Sequence, residues 1–121
     1  MNYFNALIKN WGINTSERYT NSLNLWIELS LPQNQLVIFS VDGVYSEEWV
    51  KNQIGYAIKR IMEITEVSDM NNIIGKPVVA IFSEKTIEKG SYIIGIQHFL
   101  NENLQFIPTK EKLWKEMYKD L

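Results

Sequence analysis

The sequence predicts an α+β fold: an antiparallel sheet of about six strands, one long helix after the third strand, and a C-terminal helix. Alternation in residues 23–31 (LNLWIELSL), helical spacing of apolar residues over 50–65, and three apolar runs between residues 73 and 108 carry that expectation. Those runs, 78–82, 92–99 and 104–107, are separated by polar connectors bearing Gly or Asn, the spacing of an antiparallel meander.

In chain order, residues 3–13 (YFNALIKNWGI) form a first apolar-rich segment, joined by NTSERYTNS to the alternating run. There Leu23, Leu25, Ile27, Leu29 and Leu31 share one face and Asn24, Glu28 and Ser30 the other, as a half-buried strand requires, with Trp26 the outward exception. Pro32 ends this strand, Gln33-Asn34 makes a turn, and β-branched residues 36–41 return as its partner, closed by Asp42-Gly43. Ser46 is the expected N-cap of the long helix, with Glu47 and Glu48 in the first turn. Its apolar face is Val50, Ile54, Ala57, Ile58, Ile61, Met62 and Thr65, opposite Lys51, Asn52, Lys59, Arg60, Glu63 and Glu66. Gly55 inside it marks close packing. A short helical turn over 68–74 stops at Gly75 and Pro77. Residues 109–121 begin with a Thr cap and place Leu113, Trp114, Met117, Tyr118 and Leu121 on one stripe, a closing helix.

A length of 121 residues suits a single domain, 1–121, with one hydrophobic core. The chain has no cysteine, which excludes disulfides and thiolate chemistry and points to a reducing cytoplasm. A net charge of −2 supplies no general attraction for nucleic acid or anionic lipid, and mixed Glu and Lys positions read as an ordinary solvated surface. No apolar stretch approaches ~18 residues and no leader pattern opens the chain, so neither membrane nor export is expected.

Catalytic motifs are absent. The single histidine, His98, excludes a His-rich metal site, and in its strand-like run it reads as a structural or wet surface residue before a catalyst. Carboxylates such as Glu47 with Glu48, or Glu63 with Glu66, lie on helix surfaces where nothing raises their pKa for acid catalysis. The scattered glycines form no phosphate-cradling loop. Four Trp, six Tyr and five Phe are more than enough to fill a small core, and Trp11, Trp26 and Trp49, at the edges of apolar patterns, suit either core filling or contact with another subunit.

The order Trp11-Gly12, Val41-Asp42, a helix carrying Ile58, Ile61 and Val67, Gly75-Lys76-Pro77-Val78, Ile94-Gly95 followed by His98, and Phe106 with Pro108 resembles a family of short phage-encoded proteins. That family is similar to the anti-Thoeris sponge proteins, which bind and sequester cyclic ADP-ribose isomers. The family's acidic His-Gly segment is replaced here by residues 14–22, its Gly-rich segment by residues 37–40, and its basic residue after the Gly-Lys corner by Val78-Val79-Ala80. These departures leave open which signalling nucleotide is captured, or whether the fold has turned to a protein target.

The resemblance implies a non-enzymatic counter-defence protein of the host cell cytoplasm that needs no cofactor or metal, only an aromatic surface for a base and donors for phosphates and ribose hydroxyls. Phe82 and Phe106 are the candidate stacking rings, Arg18, Arg60 and Lys76 the candidate phosphate donors, and His98, Asn101 and Asn103 the candidate hydrogen-bonding groups. Each has a plainer structural role open to it: core for the Phe residues, solvated helix for Arg60, turn for Lys76 and the asparagines. A sponge competing with a host receptor needs a dissociation constant of roughly 1 nM, ~12 kcal/mol, which favours a site enclosed by two subunits and hence a homo-oligomer. The other expectations are a protein-binding inhibitor of a host defence complex, of anti-CRISPR type, anchored by an edge strand or by Trp114 and Tyr118, and a phage accessory protein.

Overall fold

The computed structural model describes residues 2–15, 22–48, 51–83 and 92–118, with residues 116–118 described by backbone alone. Its strands are β1 (Asn2–Thr15), β2 (Ser22–Ser30), β3 (Leu36–Val44), β4 (Pro77–Phe82), β5 (Ile93–His98) and β6 (Gln105–Phe106). They form one sheet in the order β3-β2-β1-β4-β5-β6 with every pairing antiparallel. Helix α1 (Gln53–Thr65) packs on one face, and α2 (Lys112–Tyr118) follows β6. The α+β expectation, its long helix after the third strand and its meander are therefore present, and no helix among the described residues is long and apolar enough to cross a membrane.

β1 is the longest strand, at 14 residues, and its two halves have different neighbours. Residues from Leu7 to Thr15 pair with β2, whereas Asn2–Leu7 pair with β4. One extra residue, Lys9, bulges between Ile8 and Asn10, so that Ile8 opposite Leu29 and Trp11 opposite Ile27 stay on the helix side. The chain returns beside Ile8 at the 75–77 corner. Gly75, at φ 86°, donates its N–H to the Ile8 carbonyl (2.7 Å), and Ile8 donates to the Lys76 carbonyl (3.0 Å).

Alternation sorts the two faces. Leu25, Ile27 and Leu29 of β2, Phe39 and Val41 of β3, Val78 and Ala80 of β4, Ile96 of β5 and Phe106 of β6 are buried beneath Ile54, Ala57, Ile61 and Ile64 of α1. Among the described residues no helix lies on the opposite face. Trp26 points there, as its place in the alternation predicts, and its ring lies on Gly12 of the neighbouring strand; a Cβ at Gly12 would come within 2.4 Å of the ring. Trp11 is half-buried against the core, and Trp49 lies outside the described residues, as does Val50.

The helix starts later than its sequence suggests. Asn52, not Ser46, is the N-cap, accepting from the Gly55 N–H at 2.8 Å, while Ser46 Oγ only closes a local turn with the Glu48 N–H. Gly55 is indeed a point of close packing, but the neighbour is the cap itself: a Cβ there would stand 2.8 Å from Asn52 Nδ2. Asp42-Gly43 does not end β3, which continues to Val44 because β2 still pairs with it out to Ser22. The closing helix likewise begins at Lys112, after a 3-10 turn over Pro108–Lys110, rather than at a Thr109 cap.

α2 is fastened by a small set of buried polar contacts. Gln53, 4% exposed, accepts from the Val44 N–H (2.6 Å) and donates to the Leu113 carbonyl (2.8 Å), joining three elements through one amide. Trp114, fully buried, donates its indole N–H to the Asp42 carbonyl (2.9 Å) and packs edge-on against Phe106 at 5.5 Å between centroids. Tyr56 donates its hydroxyl to Glu111 (2.9 Å). Burial first, and then that hydrogen bond, push the Tyr56 phenol above its usual range.

Two outcomes follow. Gln53→Leu strands the Val44 donor and the Leu113 acceptor and should lower stability by about 2–4 kcal/mol in urea unfolding. Because the folded pKa of Tyr56 exceeds its unfolded value near 10.0, its contribution is complete below that pH and is lost as pH rises through the folded value. Tyr56→Phe should therefore lose less stability than the parent between neutral and strongly alkaline pH.

Candidate functional site

The seven described residues among the eight singled out by chemistry do not meet in one place. Arg60 is a strut: Nη1 pairs with Glu63 (2.7 Å), Nη2 donates to the Gln105 carbonyl (2.6 Å), and its buried Nε has no partner among the described residues. Phe106 is fully buried and Phe82 is 7% exposed, both on the helix side of the sheet, with Phe82 edge-on to Phe4 at 5.6 Å. Lys76 stands exposed at the start of β4, the far end from Phe82. Arg18 lies outside the described residues.

His98, Asn101 and Asn103 do come together, in the turn between β5 and β6. His98 Nδ1 accepts from the N–H groups of Leu100 (3.0 Å) and Asn101 (3.1 Å), so that nitrogen carries no proton and the ring acts as the cap of the turn. Nε2 faces Glu66 at 3.6 Å. Asn101 Oδ1 accepts from the Asn103 N–H (3.0 Å), and its carbonyl accepts from Leu104 (3.1 Å). The turn is thereby rigid, and it forms one wall of a cleft on the helix-free face.

That cleft, about 540 Å³, is built on a row that crosses four strands in register: Asn5 of β1 opposite Val79 of β4, Val79 opposite Gln97 of β5, and Gln97 opposite Gln105 of β6. Tyr3, 48% exposed, flanks the row at one end, and Glu102 with Asn103 closes the other. Gln105 Nε2 donates to Gln97 Oε1 at 2.7 Å, which leaves the Gln97 amide nitrogen as a donor and the Gln105 carbonyl as an acceptor side by side. Arg60 holds Gln105 from behind, through the backbone carbonyl, so the helix layer positions a residue of the opposite face.

Among the described residues the lining contains no lysine or arginine, and Glu102 is its one charged side chain. Neutral amides and a phenol ring suit base edges, ribose hydroxyls or glycosyl groups rather than phosphate. Among the described residues no three His, Cys, Asp or Glu side chains converge to hold a metal. Of the sequence candidates among the described residues, only Asn103 lines this cleft, with Asn101 and His98 shaping the turn behind it. Tyr3, Asn5, Gln97 and Gln105 escape sequence reasoning. Their one signal is polar amides at outward positions of otherwise apolar strands, where Asn is a poor strand former.

No family model, curated protein or solved structure matches this chain.

His98→Leu removes the acceptor of the turn. Stability should fall by about 1 kcal/mol, and amide exchange at Leu100 and Asn101 should quicken while that in β2 is unchanged.

Proposed function

We propose that the chain is a capture protein that holds a small hydrogen-bonding molecule without transforming it, and that its biological form is sequestration of a nucleotide second messenger, such as a cyclic ADP-ribose isomer, by a phage counter-defence protein in the host cytoplasm. The observation that supports the reading is the four-strand row with its paired glutamines, in a cleft whose 540 Å³ lies within the roughly 300–1,000 Å³ of small-molecule sites. The family resemblance supplies the signalling context. With Glu102 the one charge among the described lining residues, the reading gains a refinement: base and ribose sit on the amides, and phosphates point outward, away from that carboxylate.

Such an open cleft captures tightly only when covered, so the reading includes a homo-oligomer in which a second copy lies over the helix-free face. Exposed Leu7, Leu36 and Ile38 on that face, and an edge strand β3 without charge from Leu36 to Val41, support it. A second reading, an inhibitor that docks on a host defence protein, is favoured by the unpaired strand edge described below.

Thermal denaturation with adenosine, ADP-ribose and cyclic ADP-ribose isomers tests the first reading. A ligand at a hundredfold excess over its dissociation constant adds about 2.7 kcal/mol, a rise of several degrees in Tm. Adenosine should retain most of the effect, Gln97→Ala and Gln105→Ala should each weaken binding about tenfold, and heating the complex should return the ligand intact. A cleaved product, or a panel without any shift, overturns the reading.

A further inference from the structure

The first half of β1 has a neighbour on one side only. β2 stops at Ser30, opposite Leu7, and the reason is chemical: the next residue due to bond β1 is Pro32, opposite Asn5, and it has no N–H to give. Gln33 and Asn34 then take left-handed backbone (φ 69° and 60°) and carry the chain away into β3. Ile8 directs both its N–H and its carbonyl toward the β4 side. By the alternation of a strand, the peptide groups of Tyr3 and Asn5 point to the other side, where β2 has ended. Among the described residues they have no backbone partner there.

Hollows flank this edge on both faces of the sheet. On the helix side, about 310 Å³ opens between the rings of Phe4 and Phe82 and the side chains of Leu31 and Val37, with Gln33 and Gln35 at its mouth. On the other, about 440 Å³ lies between Asn5, Leu7, Ser30 and Asn34, beside Pro77 and Phe99. Among the described residues neither is lined by a charged side chain.

We infer that this edge is a docking site for an extended, uncharged peptide segment of a protein partner, which adds a short strand beside β1 where β2 has stopped. Free N–H and C=O groups at strand spacing are matched by another backbone and not by a helix face or a small molecule. A strand of about five residues laid there sends alternate side chains into the two hollows, since its period is two. The apolar hollow between Phe4 and Phe82 takes a Leu- or Phe-sized side chain, and the hollow beside Asn5 and Ser30 takes a polar neighbour. The absence of charge on both sides disfavours acidic or basic segments and nucleic acid. The site meets the small-molecule cleft at the Asn5 side chain, which borders both, but is defined by peptide groups that the cleft does not use, and it gives the docking reading a surface.

Amide exchange followed by NMR tests the proposal with a synthetic peptide standing in for the partner. In the free protein Tyr3 and Asn5 should exchange faster than Phe4 and Ala6, which face β4. An acetylated hexapeptide Thr-Phe-Thr-Leu-Thr-Thr should slow Tyr3 and Asn5 by about tenfold or more, and the same peptide N-methylated at alternate residues should not. Asn5→Pro removes a free donor while leaving the β4 ladder intact, and should abolish the peptide's effect; retained exchange protection at Ala80 and Ile96 reports that the variant is folded. No protection at millimolar peptide overturns the proposal. So does protection already present without peptide, or protection that grows with protein concentration alone, which assigns the edge to a second copy. Loss of nucleotide binding with peptide protection retained overturns only the cleft reading.

Discussion

The shape of this protein depends on the divided pairing of β1. A single 14-residue strand serves as the spine of two half-sheets, with β2 and β3 alongside its later residues and β4, β5 and β6 alongside its earlier ones. Leu7 is the shared point, paired with Ser30 on one side and Pro77 on the other. The bulge at Lys9 is what makes the division compatible with one core. Without the extra residue, the side chains of β1 beyond Ile8 would exchange faces, sending Trp11 outward and leaving Gly12 on the helix side. The offset of the half-sheets also creates both surfaces of functional interest: the four-strand row belongs to the β4 half, and the unpaired edge is the ground the β2 half does not cover.

Helix α1 and the C-terminal segment act on this frame from one side. Gln53 and Trp114 join the end of β3, the start of α1 and α2 through hydrogen bonds made in near-complete burial, where an unmade bond costs more than a made one contributes. Arg60 performs the same office at β6. The longest polar side chains facing the core are therefore used as ties, and the helix-free face keeps the uncommitted amides. Committed and uncommitted polar groups are divided between the two faces of one sheet.

How far the candidate site is legible in the sequence follows from that division. Arg60, His98 and Phe106 stand out for what their side chains can do in isolation, and the fold uses those same capacities internally: the guanidinium on a carbonyl, the imidazole as a turn acceptor, the ring in the core. Asn103, a turn former with a spare amide, is in the cleft because a turn residue beside an outward strand position stays near the surface. Gln97 and Gln105, eight residues apart, meet across the β5–β6 turn, but Asn5 is separated from both by most of the chain and joins them only through the two strand pairings on either side of β4. Nothing local to Asn5 records that register.

The amino-acid order by itself determined the class of fold and most of its elements, because alternation at period two and apolar recurrence at three and four residues are local consequences of backbone geometry. It also determined where the ladder between β1 and β2 must fail, since Pro32 lacks a donor wherever it is placed. Helix and strand ends moved by several residues, as at Asn52 and Val44, because caps and partners from distant segments decide them. Only the tertiary structure decided that β1 would be shared, that Arg60, Phe82 and Phe106 would be spent inside the fold, and that Asn5 would line up with Gln97 and Gln105 across four strands. Those outcomes rest on pairing register and on which face each layer covers, properties of the assembled sheet that no single stretch of chain contains.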